Sequence, residues 1–295
     1  MLDSALSATD SIRQRPARWG VDSEYGRLTD VMMSAPLPGV HGADGDFWRP
    51  PAAGHHRAMV KALEAAGVRV HLARPRDDLY DFPFTRDPAL MTPWGLLELS
   101  MGDHHRREET AYMHGIALDC GIPIVGSLEG GLVEGGDVCV ARPGLVIIGY
   151  SGDRTTFGGA NALAQLFEAR GWRAILHPFH PRHLHIDTFF TMVGKDEAVG
   201  CLDLLEPWFV QELETLGIAI IPATLEEVTL LGANLVALGE QRVVSPSRNG
   251  RLNGELERRG YSVVEVEIEE FARHGGGIHC LTLPLARDPG QARTR

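Results

Sequence analysis

One phrase recurs five times along this chain: an amphipathic run that reads as helix, a glycine, then a short apolar run that reads as strand. It occurs as AAG-VRVHL at Gly67, DCG-IPIVG at Gly121, ARG-WRAIL at Gly171, TLG-IAIIP at Gly217 and RRG-YSVVEV at Gly260. The spacings are 54, 50, 46 and 43 residues. A repeat at that period constrains the fold more than any compositional figure. Each copy must build the same piece of supersecondary structure and bury its apolar face against the next.

Further strand candidates lie between the glycines: Thr29–Ser34, Leu96–Leu99, Val138–Val140, Val146–Gly149, Phe189–Val193, Leu235–Leu238 and Arg242–Val244. Each unit therefore holds two or three strands and one helix. A doubly wound parallel sheet is one solution, and a radial arrangement of five units is the other. Stretches such as VCVARPGLVIIGY and LVALGEQRVVSP read as β-hairpins, which a purely parallel sheet does not contain. No GxGxxG or Walker A loop is present. The expectation is an α/β fold of five radial units, with a flexible N-terminal arm over residues 1–20 and a single domain over 21–295. The stretch from Pro36 to Pro51 reads as a long loop, and His55 to Ala66 as the first helix.

Composition matters here for what it excludes. The formal net charge is −11, which argues against a nucleic-acid partner, since phosphate binding needs a concentrated basic face. No apolar run is long enough to span a bilayer, so no membrane role is expected. Cys120, Cys139, Cys201 and Cys280 form no CxxC pair and no zinc-like cluster. With no hydrophobic leader at the polar N-terminus, the expectation is a cytoplasmic protein with free thiols and no cofactor.

Four segments place polar residues where strand ends should be apolar. Phe82–Pro88 (FPFTRDP) wedges an Arg-Asp pair between aromatics and a proline. Glu129–Val138 (EGGLVEGGDV) flanks Glu134 and Asp137 with glycines, which let backbone approach closely. In His180–Phe189 (HPRHLHIDTF), strand alternation would put His183, His185 and Asp187 on one face. In Gly275–Pro284 (GGGIHCLTLP), Cys280 follows three glycines and enters an apolar strand, with His279 alternating to the opposite face.

A Cys with a His is the equipment of covalent catalysis. Carboxylates around a thiolate would raise its pKa, so they make sense only if the substrate is itself a cation. A planar guanidinium with five N–H donors matches them, which points to attack on an amidine or guanidine carbon. A different class stays open: a metal- or ligand-binding protein using His183, His185 and Asp187.

Taken together, FTRDP, EGGD, HIDT and the glycine-led Cys resemble the guanidine-modifying enzymes, in that order along residues 27 to 284. These include arginine deiminase, dimethylarginine dimethylaminohydrolase and the amidinotransferases. GYSGDRT at Gly149–Thr155 is also similar to a family segment. The resemblance implies a five-bladed α/β propeller, the pentein fold. It implies Cys280 as nucleophile and His185 as general acid and base. Glu134 and Asp187 would meet the guanidinium nitrogens, Asp87 the distal nitrogen, and Phe84 would line the site. Arg107 and Arg154 become candidates for the substrate carboxylate, with Arg106 standing beside the first. The partner implied is a small guanidino compound such as arginine, with no metal, and a homodimer is usual. Asp187 can accept only from nitrogens that carry hydrogens, which favours an arginine deiminase-like hydrolysis to citrulline and ammonia. Dimethylarginine hydrolysis, arginine dihydrolysis to ornithine and amidino transfer remain alternatives.

Overall fold

The structure, a computed structural model, describes residues 19–40 and 48–288. Fifteen short strands form five separate three-stranded sheets. The first sheet contains β1 (Arg27–Ser34) and β2 (Arg69–Ala73), joined by helix α1 (Pro50–Ala65). The second holds β3 (Ala89–Thr92), β4 (Gly95–Glu98), α2 (Arg107–Asp119) and β5 (Ile124–Ser127). The third holds β6 (Val138–Arg142), β7 (Leu145–Tyr150), α3 (Phe157–Glu168) and β8 (Arg173–Pro178). The fourth holds β9 (Phe190–Gly194), β10 (Glu197–Gly200), α4 (Pro207–Thr215) and β11 (Ala219–Pro222). Helix α5 (Leu225–Thr229) leads to the fifth: β12 (Val236–Gly239), β13 (Arg242–Pro246), α6 (Gly250–Arg258) and β14 (Ser262–Val266). Helix α7 (Glu269–Ala272) and β15 (Leu283–Asp288) are the last elements of the described residues.

Every unit has the same plan. Its first two strands pair antiparallel, a helix crosses over, and the third strand pairs parallel to the second. The first unit borrows its antiparallel strand from the far end of the chain, since β15 pairs with β1. First strands of different units pack side by side, β15 beside β3, β6 beside β9 and β9 beside β12, while β12 packs beside β1, the middle strand of the first unit. The result is an α/β fold of five repeated sheet units, as the repeat predicts.

The repeating glycine has a mechanical reason. Gly67, Gly121, Gly171, Gly217 and Gly260 all take positive φ, between 66° and 90°. Beyond each, an N–H reaches back to the helix, as from Val68 to Leu63 O (3.0 Å) and from Tyr261 to Leu256 O (3.0 Å). This is the Schellman closure, and it turns the chain sharply into the third strand of its unit. Apolar helix faces then cover the sheets. On α3, Ala160, Leu163, Ala164 and Phe167 are buried with Val146 and Ile148 of β7.

Some boundaries differ from the sequence reading. Helix α1 begins at Pro50, five residues before His55, because proline is tolerated in a first helical turn where no N–H bond is needed. The expected Pro36–Pro51 loop is therefore shorter, and residues 41–47 of it lie outside the described residues. The expected arm also lies outside them, except for Trp19 and Gly20. Trp19 is buried and donates from Nε1 to Gly121 O (3.1 Å), and Gly20 bridges to Ala286. Among the described residues, no helix is long and apolar enough to cross a membrane.

Candidate active site

Each unit contributes chemistry from the same place, the turn just before its first strand. Asp87 lies two residues before β3, Asp137 directly before β6, Asp187 three before β9, Asn234 two before β12 and Cys280 three before β15. First strands pack against one another, so these turns converge at one end of the assembly.

The turns are not the strand ends that alternation suggests. Gly135–Asp137 and Ile186–Thr188 are single 3₁₀ turns, and Cys280 sits in a turn that bonds Leu281 N to Gly277 O (3.1 Å). His183, His185 and Asp187 therefore do not share a strand face. The ring of His183 packs edge-on to Phe189, His185 turns to Glu134, and Asp187 turns to Cys280 and His279. The His183–His185–Asp187 cation site is thus not assembled. His279 is likewise not on an opposite face but inside the cluster. The crossing of two turns demands glycine at 135, where a Cβ would stand 2.0 Å from Arg86 O.

Around Cys280 Sγ the contacts are short. Asp187 Oδ2 lies 3.5 Å away, and Asn234 Nδ2 donates to the sulfur at 3.2 Å. Asn234 Oδ1 accepts from His279 N (3.0 Å) and more weakly from Cys280 N (3.4 Å), so one amide braces the whole turn. Burial, then Asp187 and Asp87, push the Cys280 thiol well above its ordinary value, and Asn234 only partly offsets them. Cys280 is therefore held as a thiol by its surroundings.

Opposite stands an ion pair. His185 Nε2 lies 2.7 Å from Glu134 Oε2, while Glu134 Oε1 accepts from Gly102 N (3.0 Å) and Asp103 N (2.9 Å). Burial works against charge on His185, but Asp87, Asp137 and Glu134 outweigh it and raise its pKa to about 10. Burial would likewise raise Glu134, yet His185, Arg106 and Arg154 bring it down to about 2. Asp137, whose Oδ1 accepts from Ile186 N (2.9 Å), is pushed up to about 7, chiefly by burial. Imidazolium facing carboxylate is a proton donor ready for a leaving group.

A pocket of about 260 Å³ opens onto Phe84, Asp87, Arg106, Arg154, His185 and Cys280. Glu134 and Asp187 stand behind this wall. Arg107, by contrast, is exposed at the start of α2 and does not line the pocket. Its neighbour Arg106 is the buried one, bonded to Asp87 Oδ2 (2.6 Å), Glu109 Oε2 (2.8 Å) and Phe84 O (3.0 Å). Adjacent positions at a helix start face different ways, and only the inward arginine meets the carboxylates. Asp87 is thereby engaged on both oxygens, since Oδ1 accepts from Gly136 N (3.1 Å). Arg154 lies 3.5 Å from Glu134 and 3.2 Å from Asp103. A larger cleft, about 560 Å³, lies between Ser247, Ile268 and Arg273 and contains none of these catalytic candidates.

Asp87, Glu134 and His185 bring possible ligand atoms within 4.8 Å of one another, as a cation site would. Arg106 and Arg154 already supply positive charge to both carboxylates, and the histidine is itself held as a cation. That donor set fits a planar organic cation better than a metal ion.

Sequence reasoning missed Glu24 and Asn234, noted Arg86 only as half of the Arg-Asp pair, and set His279 on the opposite face. Asn234 had a usable signal, because it occupies in the fifth unit the place held by acids or Cys in the others.

Residues 42–287 match the family model described as N,N dimethylarginine dimethylhydrolase, eukaryotic. The chain is 29% identical to an uncharacterized protein, YkgA, of Bacillus subtilis, over 90% of this chain and 94% of that one. It is 32% identical to the arginine deiminase of Mycobacterium marinum over 53% of this chain, a match spanning 47% of the relative. Among solved structures, it resembles a Pseudomonas aeruginosa dimethylarginine dimethylaminohydrolase complexed with citrulline. The TM-score is 0.75 at 23% identity, covering 87% of this chain and 99% of that chain.

Proposed function

Since this chain belongs to the guanidine-modifying, or pentein, enzymes, we propose that it hydrolyses one C–N bond of a guanidino group, converting arginine to citrulline and ammonia. One observation carries this reading: Cys280 and His185 line one pocket, with Asp187 behind the sulfur and Glu134 behind the imidazole. A guanidinium lodged there donates to Asp187 and to the remaining lone pairs of Asp87. Its charge offsets the carboxylates that hold Cys280 as a thiol, so the proton leaves for solvent as substrate binds. The nucleophile is then active chiefly when its target is present.

The thiolate attacks the guanidino carbon and forms a tetrahedral adduct. His185 donates its proton to the departing nitrogen, ammonia leaves, and a thiouronium remains on Cys280. Now neutral, His185 takes a proton from water, and the hydroxide adds to the same carbon. Collapse expels the thiolate and releases the ureido product. Glu134 keeps the imidazole in line throughout and stabilises its charged form. Arg154 and Arg106, rather than the outward-facing Arg107, are the arginines at hand for a substrate carboxylate. We also propose that the five sheets close into a five-bladed propeller, with residues 21–295 as one catalytic domain.

A second reading has its own support, since the matching family model is that of dimethylarginine hydrolysis. Against it stands Asp187, whose carboxylate accepts from N–H groups and gains nothing from a dimethylated nitrogen. Mass spectrometry of products over a panel of guanidines separates the readings. Citrulline with ammonia supports deimination, citrulline with dimethylamine the second reading, and ornithine or a transferred amidine another reaction. Cys280→Ser is expected to lose at least about 1000-fold in kcat, the scale of removing a covalent nucleophile. Substantial residual turnover would sink the covalent mechanism.

A further inference from the structure

Behind Asp187 runs a buried chain that the proposed mechanism leaves unused: Glu24, Arg86 and His279, all almost wholly shielded from solvent. Glu24 Oε1 accepts from Arg86 Nη1 at 3.3 Å, and Arg86 Nη2 lies 2.7 Å from His279 Nε2. On its other side, His279 Nδ1 lies 2.8 Å from Asp187 Oδ2. We infer that His279 is a positioning residue, fixed by Arg86 as the neutral Nδ1–H tautomer, and that it orients Asp187 while leaving its negative charge whole. The inference rests on the functional reading above only for the purpose that this charge serves.

The tautomer follows from donor arithmetic. A guanidinium has N–H donors and no acceptor. Nε2 must therefore be the bare, accepting nitrogen, and the ring proton lies on Nδ1, donated to Asp187. Glu24 Oε2 could reward a proton on Nε2, but it is 3.5 Å away, and the Arg86 contact is far shorter. Glu24 remains ionised: burial would raise it, yet the Arg86 guanidinium, with Arg287 behind it, holds it far below the usual carboxylate range. It thus anchors Arg86 in place.

The consequence concerns charge. An imidazolium here would cancel Asp187, and the pocket would lose its attraction for a cation at the point of attack. A neutral donor fixes the Oδ2 side and leaves Oδ1, 3.8 Å from Sγ, for a guanidinium nitrogen. The groups facing Asp187 are His279 and Cys280 of the C-terminal turn, His185 of its own turn, Arg86 of the turn before β3 and Cys139 of β6. His279 makes the short hydrogen bond to its carboxylate, at 2.8 Å, and the Cys280 thiol donates to it from 3.5 and 3.8 Å.

Two measurements test this without knowledge of the substrate. In the wild-type protein, ¹⁵N spectra of labelled histidine are expected to show His279 protonated on Nδ1 and bare on Nε2 at neutral pH. A proton on Nε2 overturns the inference. Alkylation of Cys280 is then compared between 2-chloroacetamidine, a cation, and iodoacetamide, which is neutral. His279→Asn places its amide N–H near the Nδ1 position, whereas His279→Gln places its amide near Nε2, where its oxygen can accept from Arg86, and leaves no donor at the Nδ1 position. The preference for the cation is expected to fall about 10- to 100-fold in H279Q, the scale of one hydrogen bond to a charged group, and to survive largely in H279N. Equal loss in both variants, or in neither, refutes the positioning role. These readouts stand even if no guanidine is turned over, so they fail separately from the proposed reaction.

Discussion

At the residue scale, the site is governed by which groups share a buried space rather than by any side chain's own chemistry. His185 and Asp137 illustrate this, because their shifts give a pH dependence of definite sign. The folded-state pKa of His185 is raised from 6.5 to about 10, so its contribution to stability is fully present below about pH 6.5 and is lost as pH climbs through 10. Asp137 is raised from 3.8 to about 7, so its contribution is present below about pH 3.8 and is lost through 7. His185 therefore predicts a urea midpoint that falls between pH 6 and pH 10, with Asp137 adding to the fall only up to about pH 7, and a smaller fall in His185→Gln. A variant with the wild-type slope would show that the imidazolium is not held by these carboxylates. The residue types were legible in the sequence, because Cys, His and acids next to glycine are poorly explained as core. Their pairing was not. Nothing local tells that Arg106 rather than Arg107 faces Asp87, since that depends on the rotation of α2 about its own axis.

Among the elements, the repeating hairpin, helix and parallel strand was visible because its signals are local. Glycine ends the helix, and apolar runs mark the strands. Strands β3 and β10 were not among the sequence expectations. At four residues each with little polar alternation, they carry no period that separates them from turns. One hairpin breaks the usual turn chemistry. Between β12 and β13, Glu240 and Gln241 take φ of 55° and 56°, a two-residue turn with both centres left-handed. Such φ values cost residues other than Gly and Asn about 1 kcal/mol or more each. Replacing Glu240-Gln241 with Asn-Gly is therefore expected to stabilise the protein by about 1 kcal/mol. The check is an upward shift of the denaturant midpoint at unchanged slope, and a downward shift would contradict the turn assignment.

Over the whole molecule, the decisive contact joins the two ends of the described chain. Strand β15 completes the first unit beside β1 and buries Leu283, Leu285 and Ala286, while the turn before it carries Cys280. Losing two buried leucines costs about 3 to 6 kcal/mol, comparable with the total stability of an ordinary domain. A chain ending at Thr282 is expected to lose its cooperative thermal transition by circular dichroism, although Cys280 is still present. Retention of a wild-type melting temperature would show that the first unit stands without its borrowed strand. By itself, the sequence determined the number of units, the order of elements within each, and the chemical types that would meet a guanidinium. Those properties follow from periodicity and local backbone preference, which act over a few residues. Only the tertiary structure decided that Asp187 backs the sulfur, that Glu134 serves His185, and that Arg86 and Glu24 hold His279 from behind. Those pairings join residues about 50 to 260 positions apart. They arise where packed first strands bring five turns together, which no local pattern encodes.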